Sequence, residues 1–422
     1  AQGSYGSFTP ANSYSWGPKI TDLPANTPYG GNNQGQSGLW WDPYKAKWVK
    51  PEAFNNAKNF FDTGSSWYNG VNISNSTANA SYLIGLSSTD QSGVVPNTGM
   101  NRYTAKLNAT TSLGRFFKAG FSGNFSDVRL KKLPSGNSSN LPSVFGAPPS
   151  YDLMGTPYYM EGPLGKYRQI SWRRGSFGEN MRWAAENNLF AETTRRFFGN
   201  TYLEFTPASW VTVKYQIGVD TYATDNEDIY QAGSAATGQL LPTAAQYTTP
   251  ARPTFAYVAP TGGSINNYGF NRRDFNSLLN ITFTKEITPD LKAILNLGND
   301  FKDYTGRSWT MTGTGFTVPG WNNMSNTTKQ TADESKGRSR QIGTYGDLSL
   351  DYKGMLFFNA TGRYDIVSSM PRGARSFFYP SVSLGFVFTE LPALKENAVL
   401  SFGKLRGSFA QVGQAGTYNE LY

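Results

Sequence analysis

Residues 344–364, TYGDLSLDYKGMLFFNATGRY, place a two-residue break, Lys353-Gly354, between two segments with no helical spacing. Beyond the break, Leu356, Phe358, Ala360 and Tyr364 share one parity, while Asn359, Thr361 and Arg363 share the other. Period-two alternation gives a strand one apolar and one wet face, and Lys-Gly between two such segments reads as a tight hairpin. The arms are too long for an ordinary small sheet, whose strands run about five or six residues.

The same pattern recurs along the chain. Trp67–Ser74 pairs with Ala80–Ser88, Asn101–Leu113 with Ala119–Ser126, and Thr201–Thr206 with Val211–Asp220. Phe275–Glu286 pairs with Leu291–Phe301, Thr344–Tyr352 with Met355–Tyr364, and Tyr379–Thr389 with Ala398–Gln411. Six hairpins give twelve expected strands. Within a hairpin the break is short, whereas the links between hairpins, roughly 127–200, 221–274, 302–343 and 365–378, are rich in Gly, Pro, Ser and Asn. Short turns alternating with long loops is the organisation of an outer-membrane barrel with tight periplasmic turns and large extracellular loops. The fold class expected is all-β, an antiparallel transmembrane β-barrel. Interfacial aromatic girdles are expected at Phe116, Phe117, Trp210 and Tyr352 on the turn side, and at Phe377, Phe378 and Tyr379 on the loop side. A soluble sandwich or propeller also alternates, but its strands are shorter and loops of 40 to 70 residues are uncommon in it.

Composition narrows the chemistry. The chain has no cysteine and no histidine. Disulfides, thiol nucleophiles, the usual general base and the commonest zinc ligands are all absent from it. No catalytic residue is assigned and no enzymatic role is expected. The net charge of +9 comes from scattered basic residues, which suits a solvated surface or one meeting lipid phosphates better than a nucleic-acid site. The first residues, AQGSYGSFTP, lack a charged start, an apolar stretch and an initiator Met, so a mature protein or a piece of one is expected.

Several runs resemble the SusC/RagA family of TonB-dependent outer-membrane transporters. They are YSWGPKI, SGVVPNTGMNRYTAKLNAT, LEFTPASWVTVKYQIGVD, FFNATGRYD, RSFFYPSVSLGFVFTELPAL and LSFGKLRGSFAQVG, in order along the whole chain. The resemblance implies a 22-stranded barrel around an N-terminal plug, of which residues 1–422 are expected to supply about twelve strands, without the plug and the C-terminal strands. It also implies an oligosaccharide or peptide cargo, TonB engaging the plug, a SusD-like surface lipoprotein over the mouth, and contact with outer-membrane lipid and lipopolysaccharide. A second reading, the same barrel as a structural subunit of a larger secretion or protein-assembly machine, stays open.

Candidate binding residues for substrate or partner lie in the expected loops. Tyr158, Tyr159, Trp172, Arg173 and Arg174 fall in 127–200, and Trp309 and Trp321 in 302–343. Flat aromatics stack on sugar rings or hold peptide side chains, and Arg pairs with carboxylates. The same residues could instead give a long loop a small core of its own. Asp225, Glu227 and Asp228 open link 221–274 as a weak cation-site candidate, with calcium the fitting ion, although EF-hand spacing is missing. No other metal and no cofactor are expected. Asp300 and Asp303, beside Lys302, could make a hydrolytic pair only if the fold set them across one cleft.

Overall fold

The computed structural model describes residues 19–22, 40–42, 47–50, 52–133, 141–147, 149, 151–171, 179–234, 256–257, 262–395 and 399–413. Twelve strands form one antiparallel sheet: β1 Ser65–Ser76, β2 Ala80–Ser92, β3 Gly99–Leu113, β4 Phe117–Lys131, β5 Leu189–Ala208, β6 Val211–Tyr230, β7 Ser264–Thr288, β8 Leu291–Phe316, β9 Thr327–Tyr352, β10 Leu356–Val367, β11 Ser376–Val387 and β12 Lys404–Ala410. Their spatial order is their chain order, so the sheet is an uninterrupted meander, open at β1 and β12. All twelve expected strands are present. At the opening hairpin, Lys353 and Gly354 both take left-handed φ values of 57° and 63°, which a type I′ turn requires.

The register turns alternation into two continuous faces. Val211, Phe283, Leu295, Leu348, Ala360, Val382 and Phe409 pair across seven strands in one wholly apolar row. One residue along, the row reads Thr212, Thr282, Asn296, Asp347, Thr361, Ser381 and Ala410. Many large residues of the apolar face are exposed, among them Val71, Ile73, Leu86, Phe125, Leu203, Leu297 and Leu384. An uncovered apolar face of this extent is built for lipid, not water. From Leu356 to Tyr364 the band on β10 is nine residues long, about 23 Å at the usual rise and a 40° tilt, matching the roughly 25 Å apolar belt of such barrels.

Three strands outrun the membrane. β7, β8 and β9 are 25, 26 and 26 residues long, so about 65 Å tall at the same tilt. Here the expectation is corrected: most of 302–343, and both ends of 127–200 and of 221–274, are strand rather than loop. Beyond the lipid both faces are wet, so period-two hydropathy fades while the ladder continues.

The buried core lies at the loop end. Phe60 from α1 (Asn56–Phe60) packs with Val144 of α2 (Leu141–Phe145), Ala147, Tyr151, Leu153 and Met181 of α3 (Met181–Asn187). A second cluster, Ile229, Ala232, Ile265 and Phe316, ties the tops of β6, β7 and β8. The wall gives its apolar side to lipid, so water-excluding packing concentrates in the loops.

Candidate functional site

The polar face is the surface a solute would meet. On it, Asp300 of β8 receives a hydrogen bond from Asn276 Nδ2 at 2.7 Å and faces Arg363 Nη2 at 3.2 Å and Lys302 Nζ at 3.3 Å. Arg363 also reaches Asp365 at 2.7 Å. Asn359 donates to Asp347 and Ser349, each at 2.9 Å. The Tyr345 ring lies over Gly298, where any Cβ would strike it, and its hydroxyl donates to Asn280. Hydrogen-bonded charges placed this way make a rigid hydrophilic wall rather than a catalytic pair. Asp303 sits on the opposite face with Arg338, so the two aspartates share no cleft.

Toward the loop end the polar face widens into a concavity of about 620 Å³. Tyr222 and Phe270 stand beside each other there, ring centroids 6.4 Å apart. Lys132 Nζ contacts Glu192 at 2.7 Å, and Tyr268 donates to Asp228 at 3.2 Å. Burial raises the Asp228 carboxyl above its ordinary range, and the Tyr268 hydrogen bond offsets only part of that. A pair of aromatics flanked by a cation and carboxylates suits a solute with both apolar and charged groups. Sequence reasoning missed this site because its residues come from three strands and a strand end; the surviving signal was that Tyr222, Thr224, Asn226 and Asp228 share a parity.

Above it, buried hydrogen bonds tie the loops together. Gln169 donates to Glu179 at 3.0 Å and to the Gly233 carbonyl at 2.9 Å, while Ser234 donates to Glu179 at 3.0 Å. Asn180 caps α3, accepting from the Arg182 N–H at 3.0 Å. Gln231 donates to Asn322 at 2.7 Å, reaching the β8–β9 loop.

The expected binding residues do not converge. Tyr158 and Tyr159 meet edge to face at 4.9 Å. Tyr158 donates to Glu186, whose carboxylate oxygens lie at 2.9 and 2.8 Å, under the Arg182 guanidinium at 4.2 Å from its ring. This pair packs the loop upon itself. Trp172, Arg173 and Arg174 lie outside the described residues. Trp309 is no loop residue: it sits in β8, at a position of the apolar side over Gly269, and both border the concavity at Tyr222 and Phe270. Trp321 is exposed in the β8–β9 loop, its carbonyl accepting from Asn326 at 2.7 Å. Asp225, Glu227 and Asp228 also lie within a strand, Asp228 facing away from the other two, so they cannot jointly hold an ion. Among the described residues no cluster suited to a metal occurs.

The girdle residues divide. Phe117 stacks on Phe205 at 4.7 Å and Trp210 on Phe283 at 6.2 Å, along the turn-side margin of the apolar face; Tyr352 ends β9 on the same margin and Phe116 lies in the turn before Phe117. On the loop side only Phe378 belongs to the apolar face. Phe377 and Tyr379 stack on each other at 6.3 Å on the polar face, since consecutive strand residues point to opposite sides.

Burial and the Glu186 hydrogen bond push the Tyr158 phenol up to about 12. Its folded pKa exceeds the unfolded value, so the stability it adds is complete below about pH 10 and lost between there and about 12. Glu186→Gln should bring its phenolate absorbance transition down toward the ordinary tyrosine value; an unchanged transition would show that Glu186 is not responsible.

No family model matches the chain. A curated relative, TonB-dependent receptor P26 of Formosa agariphila, is 22% identical over 350 residues, 81% of this chain and 32% of that protein. The solved structure of the RagAB peptide transporter matches with a TM-score of 0.66 at 17% identity, covering 88% of this chain and 39% of that one. The RagAB importer in its open-open state gives 0.67 at 16%, covering 87% and 39%. The fold is that of a SusC/RagA-type TonB-dependent transporter barrel. One apolar and one polar face, as this sheet has, are the two faces of the wall of such a barrel. The relatives are a receptor and a transporter, not enzymes. This chain spans about a third of the curated relative's length.

Proposed function

We propose that this wall belongs to a TonB-dependent importer of peptides or oligosaccharides that works with a SusD-like surface lipoprotein. What carries the reading is the two-faced sheet, apolar over one membrane thickness and continuously hydrogen-bonded and polar on the other side, in the fold of the RagAB peptide transporter. The open edges β1 and β12 would pair with further strands of the same barrel, because an exposed strand edge seeks a partner. The concavity at Tyr222 and Phe270 would hold cargo on its way in, and peptide is favoured over sugar by the adjacent Lys132, Glu192 and Asp228, which match peptide termini and side chains.

The test is to extract the intact protein from outer membranes in mild detergent, identify partners in fixed ratio by mass spectrometry, and measure peptide uptake with and without the proton-motive force. One SusD-like lipoprotein and energy-dependent uptake are expected. Several secretion or barrel-assembly proteins in fixed ratio, without uptake, would replace the importer by a machine subunit. Within the importer, Tyr222→Ala with Phe270→Ala should weaken cargo binding on the order of tenfold, as expected for losing two aromatic contacts. Unchanged binding would move the cargo site elsewhere.

A further inference from the structure

We propose that the concavity at Tyr222 and Phe270 recognises both ends of a short peptide, its amino terminus at the loop-end rim and its free carboxylate at the turn-end rim. This rests on the importer function given above and names the cargo of that same site.

The register gives the concavity two poles. At the loop-end rim one row across five strands reads Glu192, Asn226, Tyr268, Thr310 and Asp333. Four residues nearer the turns, a parallel row reads Arg196, Tyr222 and Arg272. A step of four keeps the parity, so both rows lie on the polar face. Carboxylates end the first row, and guanidinium groups flank Tyr222 in the second.

The loop-end pole is negative. Lys132 is committed to Glu192 at 2.7 Å. Asp333 is exposed, borders the concavity and makes no ion pair among the described residues. One rung beyond, Asp228 accepts from Tyr268 on Oδ2 at 3.2 Å, while its enclosed Oδ1 accepts no hydrogen bond among the described residues. A peptide ammonium, with three donors and no acceptor, suits such a rim.

The turn-end pole presents guanidinium groups fixed in advance. Arg196 commits Nε and Nη2 to Asp220, at 2.9 and 2.6 Å, and lies 5.0 Å over the Phe198 ring. Arg272 commits the same two nitrogens to Asp274, at 3.1 and 2.7 Å, and lies 4.5 Å over the Tyr304 ring. Asp220 and Asp274 stand opposite each other one rung deeper, each neutralised by its arginine. Nη1 of both arginines has no partner among the described residues, and each side chain is about half exposed. A guanidinium already held in place loses little freedom when a carboxylate reaches it.

The spacing sets the length. Four residues of strand separate the rows by about 13 Å. An extended peptide covers about 3.3–3.6 Å per residue, so about four residues bridge the poles. Between the rows Thr224, Phe270 and Ser308 carry no charge, so selection falls on the ends of the peptide rather than on its side chains. An uncharged oligosaccharide engages neither pole.

The test is calorimetric titration of the intact protein, purified with its partners. The probe is the tetrapeptide Ala-Tyr-Ala-Ala in four forms: free, N-acetylated, C-amidated and blocked at both ends. Each block should weaken binding on the order of tenfold, as for a lost hydrogen bond to a charged group. The dipeptide Ala-Tyr, too short to reach both rows, should bind less tightly than the free tetrapeptide. Arg196→Gln with Arg272→Gln should abolish the response to amidation and keep the response to acetylation. Asp228→Asn with Asp333→Asn should do the reverse. Should the glutamine pair fail to fold, Arg196→Lys with Arg272→Lys keeps the aspartates neutralised and should still shrink the response to amidation, because an ammonium lacks the fork. Equal affinity for all four forms, or an arginine pair that removes the response to acetylation instead, would overturn the proposal. Tyr222→Ala with Phe270→Ala separates this failure from failure of the cargo site. If that pair weakens four equally bound forms, the site stands and only the recognition of the ends falls; if it weakens none, the site itself falls.

Discussion

Trp183→Ala should unfold the loop assembly while leaving the wall intact. Trp183 has no exposed surface, lies in α3, and donates from Nε1 to the Lys166 carbonyl at 2.6 Å. Its neighbours Met181 and Ala184 are equally enclosed. Truncating a fully buried tryptophan typically costs about 3–5 kcal/mol, from lost transfer energy plus the cavity left behind. That exceeds what a small loop core can spare, and the Gln169, Glu179 and Asn180 hydrogen bonds beside it would then open to water. The wall does not depend on this core, since its strands are held by their ladder and by lipid. Hydrogen exchange on the intact protein should therefore show protection lost across 151–171 and 179–188 and kept in β7 to β9. Loss of protection in the strands as well would mean that the loops help to hold the barrel together.

Ala360→Arg should destabilise membrane insertion where Thr361→Arg does not. The two residues are adjacent at the same depth, Ala360 in the apolar row with Leu348 and Val382, Thr361 in the polar row with Asp347 and Ser381. An arginine facing lipid near the bilayer midplane costs about 2–4 kcal/mol, whereas one facing a wet lumen costs little. At Thr361 the new guanidinium would lie near Asp347, which already accepts from Asn359. Reversible unfolding from lipid vesicles measures both variants. Equal losses would show that the faces are assigned wrongly, and a larger loss for Thr361→Arg would invert them.

Legibility depended on what each residue faces. Within the membrane, lipid on one side and water on the other write a period of two into the sequence, so all twelve strands could be read directly, and at 356–364 the two faces as well. The turns were equally plain, because Lys353-Gly354 and Pro207-Ala208-Ser209-Trp210 interrupt the alternation. Outside the membrane the signal vanished, and the outer halves of β8 and β9 read as loop because Thr, Ser, Gly and charged residues occupy both faces. Trp309 and the acidic run at Asp225 were misplaced for that reason. Phe377 and Tyr379 were assigned to a girdle by their composition, although the period of two already separated them from Phe378.

By itself the sequence determined the class of fold, the turns and the alternation along each strand, because those depend only on near neighbours along the chain. The tertiary structure alone decided what stands across from what. Asp300 meets Arg363 across 63 residues, Gln169 meets Gly233 across 64, and Arg195 meets Asp127 across 68. Such meetings are set by register between strands and by loop packing, and a period of two fixes a residue's face but not its partner.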